Sequence, residues 1–175
     1  MRYNKYSESF HWKLYKIKGH WYKVVVDKSL EYLKELGTIL DIGSGDGLVD
    51  RLLIDKGFKV IGIEPEHDGN LIAQEKVPEM RIIESTLEEA ELPEVDYLYS
   101  LNTIEHCQKP ERFIEAMKKV RKFGIVITDN SELVPKDVYH EREFTLKILK
   151  DLFKDFKTEE LVLNNYSIGL KIWRN

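Results

Sequence analysis

The sequence predicts an α/β domain: a three-layer, doubly wound, mostly parallel seven-stranded sheet that ends in an antiparallel hairpin. Three observations predict it. Short apolar runs alternate with amphipathic stretches from residue 38 to residue 153, and strands joined by crossover helices pair in parallel. Three of the ten glycines, Gly43, Gly45 and Gly47, fall within five residues, between the first apolar run and the first amphipathic stretch. Two late apolar runs are joined only by Asn164, Asn165, Tyr166 and Ser167, residues suited to a hairpin connection.

Each element follows from its own pattern. After a polar, aromatic opening, Trp21, Val25, Tyr32 and Leu36, flanked by Tyr22, Leu30 and Leu33, give a helical apolar stripe that stops at Gly37. Residues 38–42 form a strand, and Leu48, Val49, Leu52 and Leu53 then line one helical face before Gly57. Strand 59–64, helix 68–76, strand 81–84 and strand 95–101 follow. A helix over 111–120 has Pro110 at its first turn and Phe113, Ile114, Met117 and Val120 inward. Strand 123–128, helix 146–153 after a Thr145 cap, and strands 158–163 and 168–173 complete the set. The five prolines all lie where elements begin or end. The chain reads as one domain over residues 1–175, with residues 1–36 as an N-terminal helical cap or lid.

Composition bounds the function. At 175 residues, with 42% apolar and 33% charged residues, the chain buries about two-thirds of its unfolded surface and has no disordered bias. A net charge of -4 disfavours a large nucleic-acid footprint while leaving a local basic groove open. Cys107 is the one cysteine; it forms no intramolecular disulfide, reads as a partly buried thiol rather than a nucleophile, and suits a reducing compartment. No run approaches the roughly 18 apolar residues of a membrane span, and the opening lacks a signal core. A cytoplasmic location with no membrane partner is expected.

Function concentrates in the glycine cluster. A strand, a glycine loop and a helix place a sharp turn, close backbone approach and free helix N–H groups at one ligand crevice. A dinucleotide fingerprint would need glycine or alanine where Leu48 stands, and a phosphate loop would need a lysine. Asp41 and Asp46 instead repel a diphosphate and favour a cationic ligand. Glu64, ending the next strand, is placed to accept hydrogen bonds from two ribose hydroxyls, a feature that nicotinamide and S-adenosylmethionine binders share.

Taken in order, LDIGSGDG, IEP, LNTIEHCQKPERFIEAMKKV and HEREFTLKILKDLF resemble the motifs of class I S-adenosylmethionine-dependent methyltransferases. The likeness spans about residues 38–153 and is greatest to the broad small-molecule group that includes ubiquinone-biosynthesis enzymes. It implies the Rossmann-like methyltransferase fold and S-adenosyl-L-methionine as cofactor. By that resemblance Asp41, Gly43, Ser44, Gly45 and Gly47 cradle the methionine part, Glu64 holds the ribose and Pro65 flanks the adenine. Ser85 and Thr86 stand where the family often has an aspartate facing the adenine, a departure that leaves hydroxyl or backbone contacts, or an ordinary turn. Leu101 and Asn102 lie beside the methyl group.

For the chemistry, Glu105, His106 and His140 are the titratable residues nearest the expected methyl-donor end, and histidine suits a general base. Some members of the wider family hold a divalent ion through Glu-x-x-Glu-His and a later histidine. Here Asn102, Glu105, His106 and His140 lack the first carboxylate, and the set is read without a metal, although one carboxylate and two histidines suffice to ligate one. Phe10, Trp12, Tyr15, Trp21 and Tyr22, interleaved with Lys13, Lys16, Lys18 and Lys23, form a lid, a basic stacking surface or simple core packing. The reading is a methyltransferase acting on an oxygen or nitrogen of a small-molecule acceptor. Its rivals are an RNA methyltransferase, a non-catalytic S-adenosylmethionine-binding regulatory module and, more distantly, a nicotinamide oxidoreductase.

Overall fold

The structure is a computed structural model and describes residues 9–135, 138 and 140–175. The first eight residues of the expected cap, and residues 136, 137 and 139 before His140, lie outside the described residues. Seven strands form one sheet: β1 (Thr38–Ile42), β2 (Lys59–Ile63), β3 (Arg81–Ile83), β4 (Val95–Leu101), β5 (Val120–Asp129), β6 (Lys157–Glu160) and β7 (Ser167–Trp173). Their order is β3-β2-β1-β4-β5-β7-β6. The first five are parallel, β7 runs antiparallel to β5, and β6 pairs antiparallel with β7. The chain direction reverses its walk across the sheet between β1 and β4, which opens a crevice at the carboxyl ends of those strands.

Side-chain alternation along the strands builds two apolar layers. Leu40, Ile42, Leu98 and Val126 face one side, against Phe113, Ala116 and Met117 of α5 (Arg112–Lys118) and Leu149 of α6 (Leu146–Leu152). Ile39, Tyr97, Tyr99, Ile125 and Ile127 face the other, against Val25, Val26 and Leu30 of α2 (Trp21–Leu30) and Leu48, Val49 and Leu53 of α3 (Leu48–Asp55). Asp41 therefore shares the face of Ile39, under α3. Helix α4 (His67–Lys76) contributes Ala73 to a third cluster, which Trp12 of α1 (Phe10–Lys16) joins from across the crevice.

Several boundaries differ from the sequence reading, for physical reasons. Helix α2 ends at Leu30 rather than running to residue 36; the turns that follow bring the Glu35 carbonyl to the Tyr97 hydroxyl, 2.9 Å away. Helix α5 stops at Lys118 because Val120, expected on its inner face, is the first residue of β5 and pairs with Val95. The late hairpin is present, but β6 ends at Glu160, and Asn164 organises the longer connection by accepting the Tyr166 and Ser167 N–H groups. Among the described residues no helix is long and apolar enough to cross a membrane.

The layer under α5 rests on Phe113, which is fully buried. Phe113→Ala is expected to lower the unfolding free energy by about 3–5 kcal/mol, read by urea denaturation; a loss below about 1 kcal/mol contradicts the layer described here.

Candidate active site

The glycine loop is folded by its own backbone. Gly43, Gly45 and Gly47 have φ of 81°, 58° and 78°, left-handed values that glycine adopts without a Cβ penalty. Space enforces the choice at Gly43, where a Cβ would lie 2.0 Å from the Thr103 hydroxyl oxygen. The Gly43 N–H donates to the Ile63 carbonyl at 2.8 Å, stitching the loop to the end of β2. Glu64 completes the stitch: one carboxylate oxygen accepts the Gly45 N–H at 3.0 Å and the other accepts the Glu66 N–H at 3.0 Å. Its carbonyl accepts from the Asn70 amide at 2.9 Å.

Helix α1 lies over this loop. The His11 N–H donates to an Asp46 carboxylate oxygen at 3.1 Å, and the His11 ring sits 3.2 Å from the other. Trp12 Nε1 donates to the Asp46 carbonyl at 2.9 Å. His11 also stacks on Tyr22 of α2, with ring centroids 5.2 Å apart. Residues 44–50 are buried as a result. The N-terminal aromatics divide accordingly: Trp12 and Tyr22 pack, while Phe10 and Trp21 remain largely exposed.

Beneath the loop lies a concentration of buried acid that the sequence reading saw only in part. Asp41, Asp46, Asp50 and Glu64 are all at most 2% exposed. Burial, then the neighbouring Asp50 and Glu64 carboxyls, push Asp41 well above the usual carboxylate range. Burial, with Asp46 and Glu64 adding to it, pushes Asp50 up to about 7. Among the described residues neither Asp50 oxygen has a hydrogen-bond donor.

At the ends of β4 and β5 a second group assembles. Leu101 is buried, and Asn102 follows with a left-handed φ of 51°, a conformation asparagine tolerates. The Asn102 side-chain amide donates to Asp129 at 3.1 Å. A 3-10 turn over Ile104–His106 then brings Glu105 and His106 beside His140. One ligand atom from each of these three lies within 4.8 Å of the others, and the two histidine rings meet edge to face at 5.0 Å. The segment carrying His140 is pinned by the Glu105 carbonyl, which accepts the Glu141 and Arg142 N–H groups. Asp129, Thr128, Glu105 and His140 line a narrow recess there. Cys107 is buried, and burial, then the charges of Glu88 and Glu105, push its thiol up to about 12, which disfavours the nucleophilic thiolate.

The structure thus joins the expected loop residues to Glu64, and Glu105 to both histidines, while Pro65 stays exposed at the end of β2. Ser85 and Thr86 sit half-buried after β3, where the Ser85 hydroxyl bonds the Thr86 carbonyl and that carbonyl caps the Glu89 and Ala90 N–H groups. Asp50, Asp129 and His11 were missed. Asp50 had a signal, an acid set among Leu48, Val49, Leu52 and Leu53 on an apolar helix face. Asp129 and His11 had none, since their partners are distant in sequence.

Residues 40–128 match the methyltransferase domain family. The chain belongs to that family. An uncharacterized methyltransferase of Bacillus cereus is 29% identical over 133 residues, covering 72% of this chain and 63% of the relative. The chain therefore spans less than two-thirds of the length of that curated relative. Among solved structures, a SAM-dependent methyltransferase from Aquifex aeolicus superposes with a TM-score of 0.71 at 23% identity, over 84% of this chain and 88% of that one. Magnesium protoporphyrin IX methyltransferase from Synechocystis PCC 6803, with bound SAM, superposes with a TM-score of 0.72 at 15% identity, over 98% and 93%. These likenesses establish the class I methyltransferase fold.

The buried acids carry a stability consequence. A carboxyl raised in the folded state binds more protons folded than unfolded, so stability is present below the unfolded value near 3.8 and falls as pH rises through about 7. Asp50→Asn is expected to stabilise the protein at pH 8 by on the order of 2–4 kcal/mol, a gain that shrinks as pH falls toward 4 in urea unfolding. A pH-independent gain, or a loss at pH 8, contradicts the raised Asp50.

Proposed function

We propose that this chain is an S-adenosylmethionine-dependent methyltransferase that transfers a methyl group to an oxygen or nitrogen of a small-molecule acceptor, in the broad group that includes ubiquinone-biosynthesis enzymes. The observation that carries the reading is the buried hydrogen bond from Gly45 N–H to the Glu64 carboxylate. It sets an acceptor for hydroxyls beside a glycine-lined cradle of acidic character, which suits a ribose joined to a cationic amino acid and repels a diphosphate. The cofactor supplies an electrophilic methyl on a sulfonium. Asp41, Gly43, Ser44, Gly45 and Gly47 hold its amino-acid part, Glu64 the ribose, and Pro65, Ser85 and Thr86 border the adenine. Leu101 and Asn102 border the reacting end. Methyl transfer is an in-line displacement, so the protein's task is alignment and removal of the acceptor's proton. His106 or His140, oriented beside Glu105, accepts that proton.

A second reading of the same three residues is favoured by their mutual approach within 4.8 Å. Glu105, His106 and His140 hold a divalent ion, and one carboxylate with two imidazoles fits a transition ion of the zinc, iron or cobalt type better than magnesium or calcium. Such an ion supplies Lewis-acid polarisation of an acceptor oxygen. The proposed location is the cytoplasm, and an RNA acceptor is the rival substrate class.

Release of S-adenosylhomocysteine across pooled metabolites and RNA tests the activity; turnover with a metabolite pool is expected, whereas binding of the cofactor without turnover on any pool points to a regulatory module. Glu64→Lys is expected to weaken cofactor binding by at least tenfold in calorimetry, and unchanged affinity contradicts the ribose role. Elemental analysis of the purified protein, with turnover measured in chelator, decides the metal: a co-purifying ion and lost activity are expected from the second reading, and full activity with no ion removes it.

A further inference from the structure

The Asp41–Asp50 pair is buried between β1 and α3. Asp41 is in β1 on the face that meets α3, and Asp50 is in the first turn of α3. Asp50 is 0% exposed, and among the described residues neither of its oxygens has a hydrogen-bond donor. The surrounding groups come from every packed element: Glu64 follows β2, Asp46 lies in the loop, Tyr22 projects from α2 and Tyr99 from β4, with His11 of α1 on Asp46. Two carboxyls facing each other in so dry and negative a place hold one proton between them rather than two full charges.

We propose that Asp50 shares a proton with Asp41 and that binding of the cationic cofactor expels it, so that the site distinguishes the sulfonium donor from its neutral thioether product by charge. This rests on the S-adenosylmethionine reading above. Before binding, the two carboxyls hold one proton between them; the incoming ligand brings one net positive charge, and that proton leaves to solvent. The position of Asp50 near 7 in the empty site puts that exchange in the neutral range. After methyl transfer the sulfonium has become a thioether. The positive charge that held Asp50 ionised is gone, a proton returns, and the product is held less tightly than the donor. Asp50 is then a positioning and discriminating residue rather than a catalytic one.

The test is calorimetry of S-adenosylmethionine and of S-adenosylhomocysteine binding at about pH 6.5, in buffers of different ionisation enthalpy. The two ligands share their amino-acid and nucleoside parts, so the difference between them isolates the sulfonium. The wild-type protein is expected to release roughly half a proton or more with the donor and clearly less with the product. Donor affinity is expected to rise about threefold or more from pH 6 to pH 8 while product affinity changes little. Asp50→Asn is expected to remove the difference in proton release, and His11→Asn, which removes the imidazole that sits on Asp46, to keep it. Binding of both ligands with equal proton exchange and parallel pH profiles overturns this inference and leaves the cofactor reading standing. Absence of binding heat for both ligands in every buffer overturns the cofactor reading and this inference with it.

Discussion

The Gly45 N–H to Glu64 hydrogen bond is the contact on which the rest of the site depends. It is 3.0 Å long and buried, and it joins the loop after β1 to the residue that ends β2. A charged acceptor in a dry setting makes a strong bond, and leaving either partner unsatisfied there is expensive. The loop can therefore close in one way only. Left-handed glycines give the turn, Ile63 receives the Gly43 N–H, and Glu64 fixes Gly45. Helix α3 is then launched with its first-turn Asp50 above Asp41, and α1 docks on Asp46. The ribose acceptor, the acidic pair and the covering helix are consequences of one closure.

That closure also sets an electrostatic tension. Four carboxyls, Asp41, Asp46, Asp50 and Glu64, are buried in and around the loop, an arrangement that a purely structural domain would gain by replacing with apolar side chains. Stability is given up for a site that favours positive charge, as functional sites commonly do. Across the crevice the tension is of another kind. Glu105, His106 and His140 are assembled by a 3-10 turn and by two backbone hydrogen bonds to the Glu105 carbonyl.

Most of the framework was legible in the chain because it is encoded by short-range pattern. Strand runs 38–42 and 95–101 coincide with β1 and β4, and the glycine loop, Glu64 and the antiparallel ending were readable from composition and period. Boundaries failed where tertiary pairing overrode local propensity, as at Val120, which has helical neighbours but a strand partner in Val95. Long-range site contacts were illegible for a different reason. Nothing local announces that His11 will reach Asp46, 35 positions away, or that Asp129 will hold Asn102 across 27. The acceptor's identity is least legible of all, because it is selected by loop residues that follow no periodic rule.

The central claim is that the ligand enters the cradle formed by the glycine loop and Glu64. Amide hydrogen exchange with and without S-adenosylhomocysteine addresses it most directly, because the probed N–H groups are those of the loop itself. The account predicts added protection centred on residues 43–50 and 64–66, extending to α1. Tight binding that leaves those amides unchanged and protects another face of the sheet would contradict it.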